Sequence, residues 1–134
     1  MTRRNLAGLV GLAVLLLAAA APAEGLDDSN SLTCTLNSSS QCDAEAACIG
    51  VTLEQINLSG AFRVDFAGAK LASLNDERTS PIDDVDVLPE VLVVQGHQDD
   101  RGWTLVIDRT TGHLSATLAE REGAFVLAGE CQTD

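Results

Sequence analysis

The sequence predicts an all-β domain: an antiparallel meander of about seven or eight short strands, disulfide-tied, with an up-and-down barrel favoured over a sandwich. Three observations carry this reading. Apolar and polar residues alternate with a period of two through most of the second half, turn-forming residues recur about every eight to twelve positions, and four cysteines stand where they tie an early strand to the last one.

The first segment is not part of that domain. Arg3 and Arg4 precede an uncharged run from Leu6 to Ala21, and Ala21-Pro22-Ala23 supplies the small-x-small box after which a signal peptidase cuts. Residues 1–23 therefore read as a signal peptide and 24–134 as one β-domain, 134 less 23 or 111 residues long. The run of 16 residues is shorter than the roughly 20 that span a bilayer, so no stable membrane anchor is expected after leader removal. A lipoprotein needs a cysteine at the cleavage point, whereas the nearest is Cys34, and a pilin-type leader needs an acidic residue inside the run. Asn5-Leu6-Ala7 lacks the bulky pair that follows the arginines of a twin-arginine signal. The expected location is exported, periplasmic or secreted.

Along the mature chain, residues 24–33 read as a flexible lead-in, and Leu32 to Leu36 is the one short alternating piece in a stretch rich in Asp, Ser, Asn and Thr. It makes a strand carrying Cys34. Asp43 to Cys48 is too short for a free-standing helix and reads as a crosslinked turn. Thr52 to Ser59 spaces Leu53, Ile56 and Leu58 loosely before Gly60. Phe62, Val64 and Phe66 then face one way and Arg63 and Asp65 the other, with Lys70 to Leu74 as the return strand. Asn75 to Pro89 holds Asp76, Glu77, Asp83, Asp84 and Asp86 between Pro81 and Pro89, and reads as a loop with at most one edge strand.

Four strands follow: Glu90 to His97, Trp103 to Asp108, His113 to Ala119 and Ala124 to Cys131, with turns between them. Trp103, Leu105 and Ile107 share a face, as do Leu114, Ala116 and Leu118, and Phe125 with Leu127, while Thr104, Asp108, Ser115 and Thr117 point outward. Gly102, Gly112 and Gly123 fall at turn ends, where glycine takes a positive φ without steric cost.

A core built from this chain is aliphatic and thin, since Phe62, Phe66, Trp103 and Phe125 are its aromatic residues and there is no tyrosine. Crosslinks suit such a domain in an oxidising compartment. Four cysteines allow three pairings; Cys42 and Cys48 share one short segment while Cys34 and Cys131 bracket the domain, so Cys34–Cys131 and Cys42–Cys48 are the expected bridges. The spacing fits neither a thioredoxin motif nor a four-cysteine zinc site, and no metal or other cofactor is expected.

Loss of Arg3 and Arg4 takes the net charge from −12 to −14. Such acidity disfavours nucleic acid and anionic lipid and favours solubility, with attraction to a basic protein partner next. Asp83, Asp84, Asp86 and Glu90 form the densest carboxylate group, a candidate calcium or partner-docking loop whose spacing matches no EF-hand. Asp99-Asp100-Arg101-Gly102 and Asp108-Arg109-Thr110-Thr111-Gly112 read as hairpin turns in which aspartate bonds its own backbone two residues on. His97 and His113 lie near strand ends with no nucleophile elbow or metal-binding helix motif beside them. No catalytic residue is assigned, because twenty acids select no pair. Trp103 reads as core, with a ligand-stacking wall as its alternative role. Two glycosylation acceptor patterns, at Asn37 and Asn57, carry no weight in a chain whose leader and single lysine against seven arginines read as bacterial.

The run Trp103-x-x-x-Ile107-Asp108-x-x-Thr111-Gly112-x-Leu114, closed by Gly129-x-Cys131, resembles small, functionally uncharacterised exported proteins of Gram-negative bacteria. The resemblance is strongest from Phe62 onward and implies localisation and an all-β fold, not an activity. In architecture the chain is also similar to periplasmic lysozyme and protease inhibitors, small disulfide-tied barrels, although their contact motifs have no counterpart here. Function is expected to be binding: first a cationic envelope enzyme held by charge, next a small apolar ligand held in a barrel cavity beside Trp103, and last a carboxylate hydrolase, which needs two acids in one cleft.

Overall fold

A computed structural model describes residues 25–134, so the leader assigned to residues 1–23 lies outside the described residues. Nine strands follow one another: β1 Leu32–Asp43, β2 Cys48–Gly50, β3 Ala61–Asp65, β4 Lys70–Ser73, β5 Thr79–Val87, β6 Val91–Gln98, β7 Arg101–Asp108, β8 His113–Glu120 and β9 Gly123–Thr133. Every pairing is antiparallel, and β9 returns to pair with β1, which closes β1 and β3 to β9 into an eight-stranded up-and-down barrel. Strand β2 is the ninth, outside the closed set. The two-residue period of the second half explains the regularity there, since each strand turns alternate side chains inward.

Strand β1 is long because it serves two neighbours on one edge. Its N-terminal half pairs with β3 over Leu32 to Thr35, and its C-terminal half pairs with β2 over Ser40 to Cys42. On the other edge it runs beside β9 for its whole length, with a bulge between Leu36 and Ser38. The bulge inserts one residue, so the inward set passes from Leu32, Cys34 and Leu36 to Ser39, opposite Leu127, and Gln41, opposite Phe125. The disulfide Cys34–Cys131 crosses this seam inside the barrel and Cys42–Cys48 staples the β1–β2 hairpin, the pairing anticipated from spacing.

Three assignments differ from the sequence reading. The lead-in is docked rather than free: the Leu26 N–H donates to the Arg109 carbonyl at 2.8 Å and the Arg109 Nε donates back to the Leu26 carbonyl at 2.7 Å, while Leu32 and Thr33 already belong to β1. The acidic stretch holds the one strand allowed for it, but that strand is paired on both sides within the closed barrel and is not an edge. A bulge between Ile82 and Asp84 shifts the inward positions of β5 from Ser80 and Ile82 to Val85 and Val87, so the alternation is broken in the sequence but continuous in space. The β6–β7 hairpin is turned by Asp99 and Asp100, both at positive φ (51° and 62°), as a two-residue turn of type I′ requires, whereas Gly102 sits within β7 and needs no such freedom. Of the three turn glycines only Gly112 has a positive φ.

The core is packed unevenly along the barrel axis. At the end bearing the β7–β8 turn, Leu32, Val64, Leu92, Ile107 and Leu114 are at most 1% exposed, with the Cys34–Cys131 bridge among them. Arg109 latches this end: its Nη1 donates to the Leu88 carbonyl at 2.9 Å while its Nε holds Leu26. Asp108 shapes the turn by accepting the Thr110 and Thr111 N–H groups at 2.8 and 2.9 Å, and those backbone bonds hold its carboxyl below the usual range. The opposite end is not filled.

Candidate functional site

The hollow end follows from which side chains the register turns inward. In one row across the barrel stand Phe125, Leu118, Trp103, Gly96 and Ile82, and Ser73 and Ser80 occupy inward positions on β4 and β5. Gly96 offers no side chain and the two serines offer little volume, so the large residues opposite have nothing to meet. The result is a cavity of about 700 Å³, in the range that takes a drug-sized molecule, open at the barrel end formed by the β4–β5, β6–β7 and β8–β9 turns.

Two walls differ in chemistry. One is apolar, with Leu36, Trp103, Leu105, Ala116 and Leu127 leading inward and Phe62 and Leu118 nearer the lip. The other, from β4, β5 and the segment before β3, sets Ser59, Ser73, Thr79 and Ser80 among Leu58 and Leu71. Trp103 joins them: its indole lies over Gly96, where an added Cβ would come within 2.3 Å of the ring, and its Nε1 donates to Ser80 Oγ at 2.9 Å. Trp103 is thus both a core residue, 8% exposed, and a cavity wall, the two roles weighed from sequence.

The mouth carries two guanidinium groups. Arg78, on the β4–β5 turn, donates through Nε to Asp76 at 2.9 Å and through Nη1 to the Asn57 carbonyl at 2.6 Å, which ties the segment between β2 and β3 to the lip. The Arg78 bonds hold the Asp76 carboxyl down at about 2. Across the opening Arg101 pairs with Glu120 at 3.0 Å from the facing position on β8. Both arginines line the cavity, whereas Asp76 and Glu120 do not; Asp99 and Gln98 complete the rim.

The other candidates disperse. Asp84 and Asp86 project outward from β5, Asp83 sits in its bulge against the His97 Nδ1, and Glu90 lies in the β5–β6 turn. They do not converge, and among the described residues no group of three or more His, Cys, Asp or Glu side chains is placed to hold a metal ion. His97 and His113 stand at opposite ends of the barrel. A carboxylate hydrolase needs two acids in one cleft, and the cavity is lined by Asp99 alone among the acids.

Sequence reasoning placed Trp103 and its apolar neighbours but missed Arg78, Arg101 and the serine wall. The available signal was volume: Ser73, Ser80, Gly96 and Ala116 are all small at inward positions near one end. The two disulfides fit an oxidising, non-cytoplasmic environment, and no helix among the described residues is long and apolar enough to cross a membrane. No family model, curated protein or solved structure matches the chain.

Proposed function

We propose that this protein is an exported carrier that holds a small apolar molecule in the open half of its barrel. The leader is cleaved after Ala23, and the acidic exterior keeps the loaded domain soluble. The observation that carries the reading is the cavity of about 700 Å³ beside Trp103 in an eight-stranded barrel, a strand number at which the interior either fills with side chains or holds one small ligand. Here one half does each. A rigid, latched end gives the frame, and the apolar wall supplies affinity by removing ligand surface from water. Docking to a cationic envelope enzyme rests on net charge and on the exposed acids Asp83, Asp84, Asp86 and Glu90 rather than on a shaped site, so the cavity takes precedence.

Trp103 is the sole tryptophan and there is no tyrosine, so intrinsic emission reports the cavity wall directly. Titration with the neutral dye N-phenyl-1-naphthylamine is expected to quench Trp103 and enhance dye emission with one-site saturation. Ala116→Phe and Ser73→Phe each narrow the cavity and are expected to weaken the response, and the double variant to abolish it, while circular dichroism stays that of the parent. A parent protein that leaves the dye dark, or narrowed variants that bind it equally, would overturn the proposal.

A further inference from the structure

The two arginines at the mouth specify more than an apolar guest. Resting on the carrier reading, we infer that the ligand is an amphiphile with an anionic head, a single-chain carboxylic acid in its simplest form, whose head meets Arg78 and Arg101 while its chain runs along Trp103 toward Leu105 and Ala116.

The placement of charge carries the argument. The mature chain has six basic residues, and two of them line this one opening although the domain is strongly acidic. Each guanidinium is fixed from behind by a carboxylate that is not part of the lining: Asp76 for Arg78 and Glu120 for Arg101. Arg78 is fixed further by the Asn57 carbonyl. A guanidinium has five N–H groups; these bonds engage all three nitrogens of Arg78 and leave one N–H on each Nη free. Such a fork, already oriented, loses little freedom on meeting a carboxylate and can pair with it in bidentate fashion. The serine hydroxyls below the lip extend the polar side toward the head, and the aliphatic wall opposite accepts the chain. Asp99 works against this arrangement, because it is the one carboxylate in the lining.

The test compares three ligands of equal chain length, decanoate, decanol and decyltrimethylammonium, by Trp103 quenching and by displacement of N-phenyl-1-naphthylamine at neutral pH. Decanoate is expected to bind about tenfold more tightly than decanol, with the cation weakest, which is the scale of a charge-assisted pair discounted for its half-exposed partner. Arg78→Gln and Arg101→Gln should each bring the decanoate-to-decanol ratio toward one, and Asp99→Asn should raise it. Equal affinity of decanoate and decanol in the parent would overturn the inference, as would a ratio untouched by both arginine variants. Those outcomes leave the carrier reading standing provided the neutral dye still binds; failure of the dye itself would end both.

Discussion

Replacing Cys34 and Cys131 by alanine unties the seam at which the first strand meets the last. The bridge joins residues 97 apart, and on the chain-entropy account a loop of that length restricts the unfolded chain by roughly 4.7 kcal/mol. The separation of 6 between Cys42 and Cys48 gives about 2.4 kcal/mol on the same account. Native-state packing widens the gap. Cys34 is 0% exposed and Cys131 6%, so the double alanine leaves two sulfur volumes unfilled and adds on the order of 1 kcal/mol, whereas Cys48 is exposed and its loss leaves no cavity. A loss of roughly 4 to 6 kcal/mol takes from about a third to nearly all of the stability of a domain whose total lies at about 5 to 15 kcal/mol. Urea unfolding followed by Trp103 emission measures it, with Cys42→Ser/Cys48→Ser as the paired control. The seam variant should also show a larger denaturant slope, because the unlinked unfolded chain exposes more surface. An equal loss in the control, or a loss under about 1 kcal/mol with an unchanged slope in the seam variant, would show that the bridge does not carry this stability. The 11 residue pairs of the β1–β9 ladder would then hold the seam unaided.

Three further expectations follow from local geometry. Asp99→Asn with Asp100→Gly gives the type I′ turn its preferred residues and should raise stability by about 1 kcal/mol, read as a thermal midpoint a few degrees higher; an unchanged or lower midpoint counts against the turn assignment. Asp76 has its pKa lowered from 3.8 to about 2 in the folded state, so its contribution is complete above the unfolded value and is lost as pH falls through the folded one. The stability difference between the parent and Asp76→Asn should therefore be constant from pH 7 to about 5 and shrink below about 4, and a difference that stays flat down to pH 2 would contradict the Arg78 pairing. Gly96→Ala puts a methyl 2.3 Å from the Trp103 ring and 2.4 Å from the Pro81 carbonyl, which should cost about 1 to 3 kcal/mol and shift Trp103 emission to the red as its bond to Ser80 breaks; parental emission and stability would show that the indole lies elsewhere.

The legible parts of the sequence were those in which local pattern and tertiary role coincide. From Val91 to Cys131 the inward positions below the rim are apolar or small, with Gln98 and Arg101 at the rim, each turn is short, and the strand limits read from alternation agree with the ladder to within a few residues. The two misread strands fail for one shared reason. A bulge in β1 and another in β5 each shift the inward set by one, so a fixed period of two loses the pattern at Leu36 and at Asp83. In β5 the outward positions are also acidic and Pro81 interrupts, which mimics a loop. The lead-in was misjudged because its anchor is Arg109, 83 residues away from Leu26 and unrelated to it in sequence. The cavity was legible only as a possibility beside Trp103, since its polar wall is assembled from serines and threonines on separate strands, each of which reads alone as an ordinary turn or strand residue. Arg101 reads as part of a hairpin turn and Arg78 carries no signal of its own, and only closure of the barrel sets them on one rim.

The long seam also imposes an order on how the thiols meet. A chain made from its N-terminus presents Cys34, Cys42 and Cys48 long before Cys131, and the β1–β9 ladder has no second strand until nearly all of it has emerged. During that interval Cys34 has two wrong partners within reach. The β1–β2 hairpin removes both, because Cys42 and Cys48 face each other across a turn that needs only its own residues, with Asp43 accepting the N–H groups of Glu45 and Ala47 at 2.9 and 3.0 Å. Oxidation of the hairpin pair first leaves Cys34 a single remaining thiol to find, so a strand outside the barrel sets which bond can close it.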